Sequence, residues 1–225
     1  HLKMIEEAEK RDHRKLGAAL DLFSTQELAG AGMIFWHPKG ALLRDLIEDF
    51  VKSENVKRGY TPVITPHVFK SDLWKTSGHY DNYKENMYFT EIDGIEHGIK
   101  PMNCPGHVLI YKTQSRSYRD LPIRYSEFGT VYRHELSGVL SGLFRVRGFT
   151  QDDAHLFMAP EQVEKEVENC LEYAIFLLKT FGFSEFFVTL STKPDKAIGD
   201  TKLWEKAEAS IEKVLNKRGL KYEVD

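Results

Sequence analysis

The sequence predicts an α+β domain in which a mainly antiparallel sheet is flanked by helices. The stretch MYFTEIDGIEHGIKPMN (87–103) carries an Asp-Gly pair at its centre, as a β-hairpin turn requires. Residues 121–135 and 144–157 are a second pair of strand-like segments around a short loop, and helical segments precede and follow these pairs. Helices that flank antiparallel hairpins are typical of α+β domains rather than of parallel, doubly wound sheets.

The composition is ordinary for a globular domain. The chain has 225 residues, of which 41% are hydrophobic and 29% charged. A formal net charge of -3 argues against nonspecific coating of nucleic acid but allows a local basic patch. The sequence contains no apolar run of membrane-spanning length and no signal-peptide pattern, which predicts a cytoplasmic protein without a membrane partner. Two cysteines far apart in the chain argue against a disulfide framework.

The first third of the chain is predicted to contain two helices and a strand. Residues 1–20 have the pattern of a leading helix or linker, and residues 21–225 that of one domain. A second helix is expected to begin after Pro38, because apolar residues recur at helical spacing until Gly59 ends the pattern. The strand-like stretch GYTPVITPHVF (59–69) contains two prolines, which remove ladder donors and indicate an edge, a bulge or an interface.

The remaining segments predict further helices and one strand. A long amphipathic helix between Pro160 and Gly182 carries Cys170 on its apolar face, so this cysteine is expected in the core. The other predicted elements are a helix that begins near Ser71, a helix over 107–118, a strand in FFVTLST (186–192) and a helix over 202–218. The helical start and the strand-like end (LKYEV) of the chain lead us to expect a piece of a longer polypeptide.

Arginine is concentrated in one part of the chain. Residues 116–147 contain six arginines and no lysine. A guanidinium grips carboxylate or phosphate in a bidentate manner, whereas lysine supplies a mobile point charge. Two explanations stay open, because strand arginines also pair with acids on a solvated face, and three acids are available for this: Asp120, Glu127 and Glu135.

The stretch FRVRGFTQDDAHLF (144–157) has a polar face when it is read as a strand. Alternate side chains of a strand lie on one face, and here that face carries Arg145, Arg147, Phe149, Gln151, Asp153 and His155. Guanidiniums and an aromatic ring together are typical of a site for the phosphates and the base of a nucleotide. Neither GxxxxGK[ST] nor GxGxxG occurs, so such a site would be formed by arginines on an antiparallel sheet.

These segments resemble a known family. TVYRHE followed by a loop and FRVRGFTQDD is similar to the second signature motif of the class II aminoacyl-tRNA synthetases, and RGYTPVITP is similar to their first. MNCPGH (102–107), SGHYDNYKENMY (77–88) and RVRGFTQDDAHLF are more specific and resemble the threonyl-tRNA synthetase family. The resemblance covers nearly the whole chain and implies a class II synthetase-like catalytic domain, truncated at its C-terminus.

The resemblance implies a role in ATP binding for four residues. Arg133 would bind the α-phosphate as a catalytic group, and Arg145 would bind the far phosphates of ATP, which is used with Mg2+. Phe149 would stack on adenine, and Glu135 would contact the adenine side.

The same resemblance implies an amino-acid site that contains zinc. Cys104 and His155 would be two of three protein ligands to a Zn2+ ion that holds the amino group and hydroxyl of threonine. Three further residues, Met102, Gln151 and Asp153, would line the pocket, with Asp153 accepting a hydrogen bond from the threonine hydroxyl.

Two further residues acquire roles through the resemblance. His79 matches a histidine implicated in the transfer of the aminoacyl group to tRNA(Thr), and Pro66 falls in the first motif, which implies a homodimer interface. No segment resembles the third zinc ligand or the arginine of the third motif, nor the editing and anticodon-binding domains. The expected activity is that of a threonine–tRNA ligase, of which this chain would be the first part of the catalytic domain.

Several alternatives remain at this stage. Cys104 could be a small buried residue or could form a different metal pair with His107, and Asp153, His79 and Phe149 could be structural. Seryl- or prolyl-type activity on the same fold is less favoured, since those activities do not generally need the metal ligands of MNCPGH and DDAH. A noncatalytic binding module derived from a synthetase is the third possibility.

Overall fold

The computed structural model describes residues 2–194, 197 and 199–225 of the chain. Two compact units are present, one formed by His1–Ser115 with Arg124–His155 and the other by Arg116–Ile123 with Leu156–Asp225. The division of the sequence into a leading segment (1–20) and one domain (21–225) stays a prediction, and His1 itself lies outside the described residues.

The described chain contains short strands and helices of very different length. The strands are β1 (Phe23–Thr25), β2 (Ile34–Trp36), β3 (Thr61–Pro62), β4 (Val68–Lys70), β5 (Tyr88–Ile92), β6 (Ile95–Ile99), β7 (Ile123–Tyr132), β8 (Gly148–Phe157), β9 (Thr189–Leu190) and β10 (Glu223–Val224). The helices are α1 (Leu2–Lys10), α2 (His13–Ala19), α3 (Pro38–Lys57), α4 (Ser71–Thr76), α5 (His79–Tyr83), α6 (Cys104–Tyr111), α7 (Val163–Thr180) and α8 (Thr201–Lys217).

The predicted leading helix is divided into α1 and α2. The Asp12 carboxylate accepts a hydrogen bond from the backbone N–H of Arg14 at 2.9 Å, so Asp12 caps the start of a new helix. The prediction for α3 is confirmed, because proline occupies its first turn and Gly59, with φ of 77°, follows its end.

The first sheet has the order β3, β7, β8 and carries most of the predicted polar row. β3 pairs with β7 in parallel and lies at the edge, where its proline was expected. Arg133 and Arg147 are joined by a backbone hydrogen bond, and Thr130 meets Thr150. Residue numbers therefore rise along one segment as they fall along the other, so β7 and β8 are antiparallel.

The second sheet has the order β4, β6, β5 and contains the predicted hairpin. β6 pairs antiparallel with both neighbours. At the turn Asp93 and Gly94 have φ of 52° and 75°, the left-handed pair that a tight hairpin requires. A methyl group at Gly98 would lie 2.6 Å from the indole nitrogen of Trp74, so the absence of a side chain lets α4 pack directly on β6.

The second compact unit contains α7, α8 and a pair of parallel strands. Lys213 and Lys217 of α8 form ion pairs with Glu164 and Glu168 of α7 at 2.6 and 3.2 Å. Since the residue numbers of the paired side chains increase together along α7 and α8, the two helices run in the same direction. β9 and β10 are parallel and connected through α8.

Several further predictions differ in the structure. The single strand predicted through GYTPVITPHVF is divided into β3 and β4, which belong to different sheets. The helix predicted over 107–118 is α6, which begins at Cys104 because Pro105 suits a first turn, and ends where the Thr113 hydroxyl bonds the Ile110 carbonyl. The strand predicted in FFVTLST is reduced to β9, since its partner β10 has two residues. Cys170 is partly exposed rather than in the core.

The α+β prediction is confirmed, with two parallel pairings among mainly antiparallel ones. Among the helices of the described residues, none combines the length and the apolar character needed to cross a membrane.

The contact between α3 and the β1 region leads to the first prediction. A methyl group at Gly40 would collide with the carbonyl oxygen of Leu22, which already accepts a hydrogen bond from His37. We expect Gly40→Ala to lower the free energy of unfolding by about 1–3 kcal/mol, although alanine favours a helix by about 1 kcal/mol. Chemical denaturation measures the change, with Gly138→Ala as the control because nothing lies near that position. A stabilised Gly40→Ala protein would contradict the close packing.

Candidate active site

The site is anchored by the buried carboxylate of Glu127 in the middle of β7. Its oxygens accept hydrogen bonds from the Lys100 ammonium (3.1 Å), the backbone N–H of Thr65 (2.9 Å), the Thr65 hydroxyl (2.9 Å) and Nε2 of His107 (2.9 Å). Lys100 and His107 are 0% exposed and Glu127 4%. Burial alone would raise the pKa of Glu127, but these donors together hold that pKa below its ordinary value.

This arrangement differs from the solvated pairing that remained possible for Glu127. Its partners come from the loop before β4, from the residue after β6 and from α6. The carboxylate thus joins the two three-stranded sheets and a helix. A buried ion pair costs desolvation energy, and satisfying both groups by further hydrogen bonds offsets that cost.

The predicted polar row is formed only in part. Arg145 and Arg147 precede β8, whereas Phe149, Gln151, Asp153 and His155 occupy alternate positions within the strand. The intervening residues face α3, because Arg44 donates to the Thr150 hydroxyl (2.7 Å) and Asn55 donates to Asp152 (3.1 Å).

Three predicted site residues form a potential metal site. One ligand atom from each of Cys104, Asp153 and His155 lies within 4.8 Å of the others. Sulfur, carboxylate oxygen and imidazole nitrogen are the donors that zinc prefers, at bond lengths of about 2.0–2.3 Å. A small inward movement of these half-buried side chains would place them around one ion, so the donor set fits zinc.

Burial controls the ionisation of two members of this group. Burial, followed by the charge of Asp153, raises the pKa of the Cys104 thiol. Burial also lowers the pKa of His155, although the Asp153 carboxylate opposes that shift. A bound cation would favour the thiolate and the neutral imidazole, which are the forms that bind metal.

Asn103 holds Asp153 in place. Its side-chain N–H group donates to the Asp153 carboxylate at 3.1 Å, and Asn103 itself is 1% exposed. A methyl group at Gly129 of β7 would collide with the Asn103 amide, so the glycine provides the space that this amide occupies.

His107 was considered as a metal ligand paired with Cys104, and the structure argues against that interpretation. Nε2 of His107 contacts Glu127, and Nδ1 lies 2.9 Å from Nδ1 of His155. Both ring nitrogens are therefore engaged within the protein, and His107 lies behind His155 rather than beside Cys104 as a ligand.

Arg133 is positioned next to the aromatic ring that was predicted to accompany it. Its Nε donates to the carbonyl oxygen of Pro101 at 3.0 Å, and its guanidinium carbon lies 5.1 Å from the ring centre of Phe149. Among the described residues the terminal nitrogens of Arg133 have no hydrogen-bond partner. The guanidinium is thus oriented by the backbone and retains donors for a ligand.

The two arginines before β8 have different roles. Arg145 is 57% exposed at its side chain and pairs with Glu135 at 3.1 Å, which brings two predicted ATP-binding residues together. An exposed pair of this kind is worth little, so Arg145 can exchange Glu135 for an anionic ligand at small cost. Arg147 instead donates to the carbonyl oxygens of Glu135 and Ala31, and thereby holds the loop between β7 and β8.

His79 and Met102 lie in contact. His79 Nε2 is 2.6 Å from the Met102 sulfur, and His79 Nδ1 is 2.7 Å from the Ser77 hydroxyl. Both ring nitrogens of His79 therefore contact neighbouring side chains, Nε2 the thioether and Nδ1 the hydroxyl. Burial lowers the pKa of His79, which favours the neutral ring.

The remaining predicted residues are less constrained. Gln151 is half-buried on β8, and Pro66 is exposed next to Ile64, whose side chain is 90% exposed. An apolar cavity of about 900 Å³ lies between α2, α3 and the first sheet, and Phe149 borders it. Among the described residues, its lining does not include the potential metal ligands or Arg133. The cavity is therefore not the site described above.

The sequence did not reveal four supporting residues: Lys100, Asn103, His107 and Glu127. A buried lysine and glutamate have no signature in a hydropathy pattern, because charged residues are normally exposed. The stretch MNCPGH contains Asn103 and His107, but it does not show which of its side chains face the ligand.

Comparisons with known proteins agree with the geometry. The family described as "tRNA synthetase class II core domain (G, H, P, S and T)" matches residues 88–217. A curated relative called threonine–tRNA ligase, from Syntrophotalea carbinolica, is 55% identical over 225 residues, which are 100% of this chain and 35% of the relative. The chain thus spans about a third of the length of such relatives.

Two solved structures extend the comparison. The crystal structure of the RNA-binding domain of threonyl-tRNA synthetase from Cryptosporidium parvum is similar to this chain, with a TM-score of 0.89 and 45% identity, covering 96% of this chain and 54% of that one. Prolyl-tRNA synthetase of Giardia lamblia has a TM-score of 0.68 and 20% identity, covering 81% of this chain and 37% of that one, and is informative about the fold alone.

The Glu127 cluster leads to a prediction about pH. Because the pKa of Glu127 is lower in the folded chain than in the unfolded one, its stabilisation is present above the unfolded pKa, near 4.3, and is lost as pH falls through the folded pKa. We expect Glu127→Gln to lower the free energy of unfolding by about 3–5 kcal/mol at neutral pH and by less below about pH 4. Denaturant titrations over pH measure both effects.

Glu54→Gln is the matched control, because Glu54 is also buried but pairs with the more exposed Lys57 and Arg58. Glu54→Gln should lower the free energy of unfolding by less than Glu127→Gln does. A Glu127→Gln penalty that stays constant from neutral to acid pH would contradict the role assigned to the carboxylate.

Proposed function

This chain belongs to the class II tRNA synthetase core family, and on that premise we propose that it forms part of a threonine–tRNA ligase. In this function threonine is activated with ATP and then transferred to tRNA(Thr). The identity of 55% to a relative with that name supports threonine as the substrate. The activity of the chain by itself belongs to the proposal, because such relatives are about three times as long.

One observation carries the proposal: three consecutive residues hold three different predicted site groups. The Pro101 carbonyl orients Arg133, Met102 contacts His79, and Asn103 orients Asp153. Cys104, the next residue, contributes to the potential metal site. The groups proposed for phosphate, tRNA and amino acid therefore converge on one short segment.

Arg133 is suited to stabilise adenylate formation. Attack of the threonine carboxylate on the α-phosphorus of ATP builds negative charge on the equatorial oxygens. A guanidinium that is already oriented, with free terminal N–H groups, stabilises this charge without a proton transfer. Phe149 would stack on adenine, while Arg145 and Glu135 would contact the far phosphates and the adenine side. ATP would enter with Mg2+.

The amino-acid pocket must separate threonine from valine, which has the same shape. An apolar pocket achieves only a modest ratio, whereas a site that hydrogen-bonds the hydroxyl leaves its own polar groups unpaired when valine binds. Asp153 would accept a hydrogen bond from the hydroxyl, with Met102 and Gln151 lining the pocket. Zinc held by Cys104 and His155, close to Asp153, would supply a Lewis-acidic centre for the amino group and the hydroxyl.

His79 would act in the transfer to tRNA. Its ring lies between the Met102 sulfur and the Ser77 hydroxyl, and burial favours the neutral form by lowering its pKa. We further propose a homodimer through the exposed region around Pro66, and a cytoplasmic location. Seryl- or prolyl-type activity has less support, since the solved prolyl-tRNA synthetase is only 20% identical to this chain. The test below also distinguishes a noncatalytic binding module from an active enzyme.

The pocket is tested by binding of nonhydrolysable aminoacyl-adenylate analogues. By calorimetry we expect the threonyl analogue to bind best, the seryl analogue roughly 10–200-fold more weakly because one methyl group is missing, and the valyl analogue about 10⁴-fold more weakly because the hydroxyl is missing. Arg133→Lys should weaken binding of all three analogues alike, because lysine lacks the bidentate fork.

Equal binding of the threonyl and valyl analogues would refute the hydroxyl site. Preference for a seryl or prolyl analogue would favour those activities, and absence of binding for every analogue would favour a noncatalytic module. Lys57→Arg, on an exposed side chain away from the site, is the control for a changed cation.

The proposed zinc site is tested by metal content. We expect the chain to bind zinc and a chelator to remove it without unfolding, because the Glu127 cluster rather than the ion joins the sheets. Cys104→Ser should abolish the binding, whereas Cys170→Ser, the matched control on α7, should not. Elemental analysis after dialysis measures the stoichiometry. Tight, one-to-one zinc in the Cys104→Ser protein would place the metal elsewhere.

A further inference from the structure

We propose that His13, at the start of α2, is a positioning residue that holds the tip of the loop between β7 and β8 and thereby places Arg145 for the far phosphates of ATP. This inference rests on the proposed function, because it concerns a residue of the proposed ATP site. It assigns a role to the leading part of the chain, which the chemistry described above does not use.

The first observation is a direct contact between α2 and the loop. The backbone N–H of Leu143 donates a hydrogen bond to Nε2 of His13 at 2.8 Å. The ring of Phe144 meets the same imidazole edge-on, with the ring centres 4.6 Å apart. Because Phe144 is 86% exposed, little apolar surface is buried at the tip. The hydrogen bond to His13 is therefore the more specific attachment.

The loop is shaped to admit this imidazole. Gly142 has a φ of 49°, in the left-handed region that favours glycine. A methyl group at Gly142 would collide with Nε2 of His13 and would lie 3.0 Å from Cγ of Arg14. The glycine therefore serves twice, because it permits the backbone turn and leaves room for the start of α2.

The start of α2 holds His13 in turn. Asp12 accepts a hydrogen bond from the backbone N–H of Arg14 at 2.9 Å, which caps the helix, and the Arg14 guanidinium pairs with the same carboxylate at 2.7 Å. A methyl group at Gly17 would collide with the ring of Phe23, so α2 lies directly against β1. The imidazole is thus carried by a packed helix.

The tip of the loop is a closed turn that includes Arg145. Ser141 and Arg145 exchange two backbone hydrogen bonds of 3.1 Å, and the N–H of Phe144 donates to the Ser141 carbonyl at 2.9 Å. Because the turn is bonded to itself, a displacement of Leu143 carries Arg145 with it. The contact at Leu143 therefore affects the position of the guanidinium.

The loop is held at its base as well as at its tip. At the base, the backbone N–H of Arg147 donates to the Gly32 carbonyl at 2.8 Å, and its guanidinium donates to the Glu135 carbonyl at 2.8 Å. His13 holds the tip. The side chain of Arg145, which is 57% exposed, lies between these two attachments. A group that is restricted before binding loses less entropy when a ligand arrives, and the affinity is higher.

Amide exchange, followed by NMR on the ligand-free protein, tests the contact. We expect the Leu143 amide to exchange about 2–10-fold faster in His13→Ala, the factor that corresponds to the net contribution of one hydrogen bond. His13→Gln should retain much of the protection, because a carboxamide oxygen can accept from Leu143. His97→Ala is the matched control, since the His97 ring also contacts a backbone carbonyl, that of Ile95, but belongs to β6.

Nucleotide affinity is the readout that a merely structural role would not move in the same way. By calorimetry, His13→Ala should weaken binding of a nonhydrolysable ATP analogue by roughly 2–10-fold, the cost of ordering one side chain on binding. Binding of AMP should be unchanged, because AMP lacks the far phosphates. In an Arg145→Ala background, His13→Ala should cause no further loss, since both residues act on the same interaction.

A second variant disturbs the contact from the side of the loop. Gly142→Ala should displace the imidazole and reproduce both effects of His13→Ala, so the question is decided even if His13→Ala does not fold. Gly138→Ala, in the same loop but with open space around it, should match the wild-type protein.

The outcomes separate this inference from the proposed function. Unchanged exchange of the Leu143 amide in folded His13→Ala, or an equal loss of ATP and AMP binding, would overturn the inference while the proposed function stood. The expected exchange pattern in a protein that binds neither nucleotide would support the attachment of the loop to α2 and overturn the proposed ATP site.

Discussion

The rest of the structure depends on the buried carboxylate of Glu127. It lies within β7, yet it binds the residue that follows β6, the loop before β4 and the first turns of α6. A set of apolar side chains could join the same elements with similar stability, but it would not orient Nε2 of His107. The charged cluster therefore contributes orientation as well as stability, since it aligns hydrogen-bond donors close to several site residues.

That junction, Lys100–His107, organises the site through its backbone as much as through its side chains. Lys100 uses its N–H and carbonyl to bond His67 and Tyr132, which fixes the path of the chain. The next residues can then project in different directions, with Arg133 on one side and Asp153 on the other. Groups on strands and on the first turn of a helix are held more firmly than groups on a mobile loop.

Local sequence patterns predicted the local structure well. The Asp-Gly turn, the proline at the start of α3 and the alternation along β8 each depend on interactions between residues close in sequence, and the structure contains all three features. The likeness of MNCPGH and RVRGFTQDDAHLF to a known family then selected Cys104, Asp153 and His155, which lie close together. Their proposed roles still await the experiments described above.

What sequence patterns could not provide were the long-range partners. A solvated pairing of Glu127 with arginines was one open explanation, but donors from Thr65, Lys100 and His107, all distant in sequence, make its burial acceptable. Likewise, Arg145 and Arg147 are equivalent in spacing, but the carbonyl oxygens of Glu135 and Ala31 occupy only Arg147. Such differences depend on the position of the loop between β7 and β8 in the folded chain, which the local sequence does not determine.

The sharing of one short segment by several site groups has a consequence for how the native state fluctuates. Arg133, His79 and Asp153 each bond to a different residue of Pro101–Asn103, so a local opening of this segment would release all three together. Amide exchange around these residues would then report one common opening free energy rather than three separate ones. The fraction of molecules in which that single segment is closed is then an upper limit on the fraction that is competent at any moment.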